Sequence, residues 1–146
     1  TQYLISLNSN NTGSDGQQFA MFINTTGLSC HAGGKLIQIN HSFKTNTWYH
    51  GVLTSDGTNF SFYLDGVLKG SGTAGTVLGT NLTLAGRSSS AAGANSGRLY
   101  LYHGLLNDVR IYSTVLSALD ITDLYQKGAY VDDKGYIGAY EFVEVD

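Results

Sequence analysis

Asp108 and Arg110 stand two residues apart in RLYLYHGLLNDVRIY, residues 98–112. Extended backbone would place both on one face, close enough for a charge-assisted pair. Such a pair is ordinarily structural. On an open face it could also hydrogen-bond a polar ligand, the guanidinium donating and the carboxylate accepting. Tyr100, Tyr63 and Asn95 complete the candidate ligand-binding set, with tyrosine offering both a ring face and a hydroxyl. Other chemistry is poorly served. Cys30 is the single cysteine, so no intrachain disulfide forms, and only His31 beside it could activate a thiolate. A small, half-buried side chain is the better reading for it. His31, His41 and His103 are too scattered for a recognisable metal motif.

The element that must position Asp108 and Arg110 runs from Arg98 to Tyr112. Before Gly104, Leu99 and Leu101 share one face while Tyr100 and Tyr102 share the other. After it, Asn107, Val109 and Ile111 form one row, and Leu106, Asp108, Arg110 and Tyr112 the opposite row. This length predicts a central strand or strand pair of a large sheet, with Gly104 marking a bulge or tight bend.

Around it the pattern predicts strands at Tyr3–Leu7, Gln17–Ile23, Leu28–His31, Lys35–Asn40, Thr47–Thr54, Asn59–Leu64, Val67–Lys69 and Asn81–Gly86. Asp-Gly recurs at 15–16, 56–57 and 65–66. Asp tolerates positive φ and Gly adopts it freely, so each pair suits a hairpin turn and the chain should meander antiparallel. These aspartates are turn formers before they are metal ligands. Gly70–Thr76 and Arg87–Gly97 read as loops. Beyond Tyr112 the period changes: Leu116, Leu119, Ile121, Leu124 and Tyr125 recur at helical spacing, predicting one short helix over 117–126. Ser117 and Asp120 resemble a capping box, Lys127 suits the last turn, and Gly128 is placed to end it. The tail GYIGAYEFVEVD returns to strand, with Tyr140 and Phe142 on one face and Val143 and Val145 on the other.

With 146 residues the chain is expected to form one domain, and 19 glycines without a proline describe an all-β protein with many turns. Only 13% of residues are charged, the net charge is -3 and the lysines and arginines are dispersed, which argues against a nucleic-acid partner. No run approaches the ~18 apolar residues of a membrane span, so membrane insertion is not expected.

Two stretches carry a resemblance. TWYHGVLTSDGTNFSFYLDGVLKGSG resembles the double hairpin of laminin G-like, concanavalin A-like jelly-roll domains. YHGLLNDVRIYSTVLSALDITDLY is similar to the block that follows it there. Order and spacing agree over roughly Gln17 to Tyr125. The resemblance implies a two-sheet antiparallel jelly-roll sandwich with one short late helix. It also implies a recognition module for a glycan or a protein surface, often with Ca²⁺ at the rim, in extracellular, cell-surface or virion proteins. Within it the Asp108–Arg110 face would line the concave sheet, and Trp48 and His50 would be partly buried packing residues of one strand. Asn107 stands where the family often has an aspartate, which lowers the charge available to a metal.

The strand that usually opens such domains is absent before Thr1, which suggests a fragment, and residues 136–145 are expected to close the fold in its place. Some glucanases share the fold, but their carboxylates reach one substrate face about 5–9 Å apart. Here the acidic cluster is Glu141, Glu144 and Asp146, and alternation turns Glu141 away from the other two. The chain is therefore expected not to be an enzyme. The alternative is a structural virion domain, a fibre or capsid decoration, that would form a homo-oligomer.

Overall fold

A computed structural model describes residues 1–8, 17–76, 81–88, 98–127 and 136–140. Two antiparallel sheets face each other. The first is built from β1 (Gln2–Asn8), β2 (Gln17–Asn24), β3 (Gly27–Ala32), β4 (Lys35–Asn40) and, later in the chain, β8 (Asn81–Leu84), in the order β4-β3-β2-β1-β8. The second contains β5 (Gly51–Ser55), β6 (Asn59–Leu64) and β7 (Val67–Thr73), in sequence order. Two short ribbons join β9 (Arg87–Ser88) to β10 (Arg98–Leu99) and β11 (Val109–Tyr112) to β12 (Tyr136–Tyr140).

Alternation decides the packing. Phe60, Phe62 and Leu64 of β6 point into the sandwich against Leu28, Cys30 and Ala32 of β3, with Phe19, Met21 and Ile23 of β2 packed beside them. Cys30 is wholly inside this core, and burial pushes its thiol well above the ordinary range, so it is no nucleophile. The other face of the first sheet carries Tyr3, Ala20 and Phe22, with Tyr3 stacked on Phe22 at 4.8 Å. In β1 the register slips between Tyr3 and Ile5, and Leu4 also packs on the inter-sheet core.

The helix α1 (Ala118–Lys127) lies one residue from its expected bounds. Its capping box is formed with Asp in place of the usual Glu. Ser117 Oγ accepts from Asp120 N–H at 3.2 Å, and Asp120 Oδ2 accepts from Ser117 N–H at 2.9 Å. A cap of this kind stabilises a helix by about 1 kcal/mol. Lys127 pairs with Asp123 at 2.9 Å, one turn apart. Ile121 and Leu124 bury with Leu116 against Val52, Tyr63 and Tyr112, whereas Leu119, despite its helical spacing, faces outward. The helix thus covers the second sheet on the side away from the core.

Three expectations are corrected. Arg98–Tyr112 is not one central strand: only Arg98–Leu99 and Val109–Tyr112 are extended, each in a two-stranded ribbon. Tyr100 and Asp108 have left-handed φ of 54° and 51°, which breaks the extended run twice. Gly104 does stand at a bend, as expected. Its missing Cβ makes room for the phenol of Tyr102, which packs directly over it. Residues 70–73 are strand, not loop, because Gly70 and Gly72 face inward where Ile37 of β4 fills the space. Thr47–His50 lies outside the strand that begins at Gly51. The turn at Asp15-Gly16, Gly128, Asn95 and the faces and acids of residues 141–146 lie outside the described residues.

Candidate functional site

The Asp65-Gly66 turn is where the site is assembled. Leu64 pairs with Val67, leaving a two-residue loop with φ of 52° at Asp65 and 75° at Gly66. Both values suit a primed turn, which matches the twist of the flanking strands. Asp65 also clamps the segment before β5: its Oδ1 accepts from His50 N–H at 2.8 Å, and its own N–H donates to His50 O at 2.8 Å. On the other side the turn receives α1. Thr122 Oγ1 donates to Gly66 O at 3.4 Å, and a Cβ on Gly66 would come 3.1 Å from the Tyr125 ring. The His50 ring then lies across Tyr125, centroids 5.9 Å apart and planes 27° from parallel.

His50 Nδ1 is buried without a hydrogen-bond partner. Burial lowers the imidazole pKa below its ordinary value, opposed by the charges of Asp65 and Asp108 and reinforced by that of Arg110. The sign for stability follows. The unfolded chain takes up a proton near 6.5 that folded His50 resists. Stability from this group is fully present above that pH and falls as the pH drops through the folded value. Urea denaturation between pH 8 and pH 5 should show that loss, and His50→Gln should flatten it. An unchanged slope in the variant would show that His50 titrates alike in both states.

Asp108 and Arg110 are brought together as expected. Arg110 Nε donates to Asp108 Oδ1 at 2.6 Å and Nη2 to Oδ2 at 2.7 Å, a bidentate fork. Asp108 N–H donates to Asn107 Oδ1 at 2.9 Å. Burial works against the guanidinium charge, but the hydrogen-bonded Asp108 carboxylate, with a smaller contribution from the nearby Tyr112, outweighs it and holds the Arg110 pKa above its ordinary value. The two side chains differ in access: Arg110 is 12% exposed and Asp108 45%. A ligand arriving here meets the carboxylate.

The remaining candidates are spread out. Tyr63 is half-buried beneath α1 with Val52 and Leu116. Tyr100 is exposed, its carbonyl accepting from Tyr3 N–H at 2.9 Å and its ring tilted against Tyr3 at 5.8 Å. It therefore belongs to the outer side of the first sheet. Trp48 corrects the expectation of a packing residue: it is 64% exposed, two residues before His50. The polar triplet Thr45-Asn46-Thr47 was the available signal, since Asn46 takes φ of 56° in a turn that keeps Trp48 out of β5.

No three His, Cys, Asp or Glu side chains among the described residues cluster as a cation site. Arg110 engages both oxygens of Asp108, and Oδ1 of Asp65 and of Asn107 each accept a backbone N–H.

Two solved structures share the architecture. One is a Bacteroides ovatus protein to which carbohydrate binding is ascribed, with a TM-score of 0.64 at 20% identity. The match covers 96% of this chain and 44% of that one, so the chain spans less than half of its length. The other is the native heptameric SAP-like pentraxin of Limulus polyphemus, with a TM-score of 0.61 at 15% identity, covering 97% of this chain and 74% of that one. At these identities the likeness is one of fold. No curated protein matches the sequence. The Laminin G 3 family model, described as the concanavalin A-like lectin/glucanases superfamily, matches residues 1–122. With the paired sheets, the late helix and that match agreeing, the chain belongs to the concanavalin A-like lectin/glucanases superfamily.

Proposed function

We propose that this domain is a non-catalytic recognition module that binds a glycan, displayed outside the cell or on a surface. The observation that carries the reading is the exposed indole of Trp48, two residues from the point where Asp108 and Arg110 act on His50. A flat apolar ring stacks on the C–H face of a sugar, and a carboxylate fixed by an arginine accepts from its hydroxyls without having to be ordered on binding. The carbohydrate binding ascribed to the Bacteroides protein supports the same ligand class. Arg110 acts here as a positioning residue, since it is covered and committed to Asp108.

A glycan array with the purified domain tests this. Trp48→Ala should weaken the bound glycan by about 2 kcal/mol, roughly 30-fold, the loss typical of a tryptophan anchor. Tyr100→Ala on the same array tests the second exposed aromatic. A Ca²⁺ arm and an EDTA arm should give the same binding if the ligand sits on the described residues. An array without ligand, or binding indifferent to Trp48→Ala, overturns the reading. The second reading, a structural virion domain packed against copies of itself, draws on Leu105 and Leu119, both exposed. A stable trimer in sedimentation would favour it.

A further inference from the structure

We infer that the glycan is uncharged, a hydroxyl-rich saccharide rather than one bearing uronate, sialate or sulfate; this rests on the recognition reading above. Three charged side chains act on His50 at the site: Asp65, Asp108 and Arg110. The single cation among them is the more covered partner of its ion pair. Arg110 is 12% exposed, and its Nε and Nη2 close on Asp108. Asp65 is committed to His50 through Oδ1. What faces outward is the Asp108 carboxylate, 45% exposed, whose remaining lone pairs accept hydrogen bonds and donate none. The wider field has the same sign, with a net charge of -3. An anionic sugar would bring a second negative charge to a carboxylate whose cationic partner among the described residues is already engaged. Sugar hydroxyls are the donors this arrangement is built to receive.

The experiment compares hexose oligosaccharides with the matched hexuronate, sialylated and sulfated ones on one array, followed by titration of any hits. Unit charges several ångströms apart near a surface repel enough to weaken an acidic counterpart about tenfold or more. Asp108→Asn keeps the shape, removes the charge and frees the Arg110 fork, so the gap between neutral and acidic ligands should close or reverse. A thermal melt of the variant checks that it folds. If it does not, the wild type still decides: raising salt from about 0.05 to 0.5 M should narrow the gap by screening and leave neutral affinity unchanged. Acidic glycans bound as tightly as neutral ones overturn the inference and leave the recognition module standing. A gap untouched by both Asp108→Asn and salt overturns it too. Silence from both ligand classes overturns the recognition reading and the inference together.

Discussion

Phe62→Ala should cost about 3–5 kcal/mol of folding stability, the range for removing a fully buried aromatic ring. Phe62 is 0% exposed on β6, the middle strand of the three-stranded sheet, and it faces Leu28 and Cys30 across the sandwich. Two features keep the cavity from collapsing. Gly70, its register partner on β7, has no side chain to move in, and the space there is already taken by Ile37. On β5 the partner is Leu53, itself part of the same core. Domains of this size hold only about 5–15 kcal/mol in total, so the variant keeps a fraction of its stability or none. Denaturant titration should show a much lower midpoint at an unchanged slope. Phe62→Leu, which refills most of the volume, should lose less than half as much. Leu105→Ala, at an exposed position, should stay within about 0.5 kcal/mol. Equal losses at positions 62 and 105 would mean that the inter-sheet core is not where the alternation places it.

The same alternation explains how much of this fold is legible in the chain. Strands β2, β4 and β6 and the helix come out within a residue of their expected bounds, because each is bounded by local turn or capping chemistry. The failures share one cause, a tertiary partner that no window of sequence contains. Tyr100 leaves the extended conformation where its carbonyl meets Tyr3 N–H, 97 positions away along the numbering (from 100 to 3). Gly70 and Gly72 read as a loop until Ile37 arrives from the other sheet to fill the place of their side chains.

At the site, the Asp108–Arg110 fork was visible because it is a contact between residues two apart. The convergence on His50 was not. It needs the Asp65 turn to hold His50 from one side while Tyr125 of α1 covers it from the other. Trp48 was missed for a different reason. Its aromatic type argued for the core, and only the left-handed Asn46 just before it shows that the chain has not yet entered β5.

Gly33→Ala should cost roughly 3 kcal/mol of folding stability, although it adds only a methyl group. The β3–β4 hairpin closes through Gly33 and Gly34, with φ of 55° and 78°, between the paired residues Ala32 and Lys35. Both glycines therefore carry the same left-handed requirement, worth about 1–2 kcal/mol for any residue with a Cβ. They differ in what surrounds them. A Cβ on Gly34 meets nothing within 4 Å, whereas one on Gly33 would overlap the backbone of Gly75. Gly75 follows β7, and its N–H donates to Ala32 O at 3.1 Å, so this contact ties a turn of the first sheet to the end of the second. Gly33→Ala must break that hydrogen bond or push the two sheets apart, adding about 1–3 kcal/mol to the local strain. Gly34→Ala should lose only the strain. Gly33→Asn separates the two contributions, because Asn tolerates left-handed φ but still brings the overlapping Cβ. Melting curves of the three variants should therefore rank Gly34→Ala as mildest and Gly33→Ala as worst. Equal midpoints for Gly33→Ala and Gly34→Ala would show that the sheets are not joined at this turn.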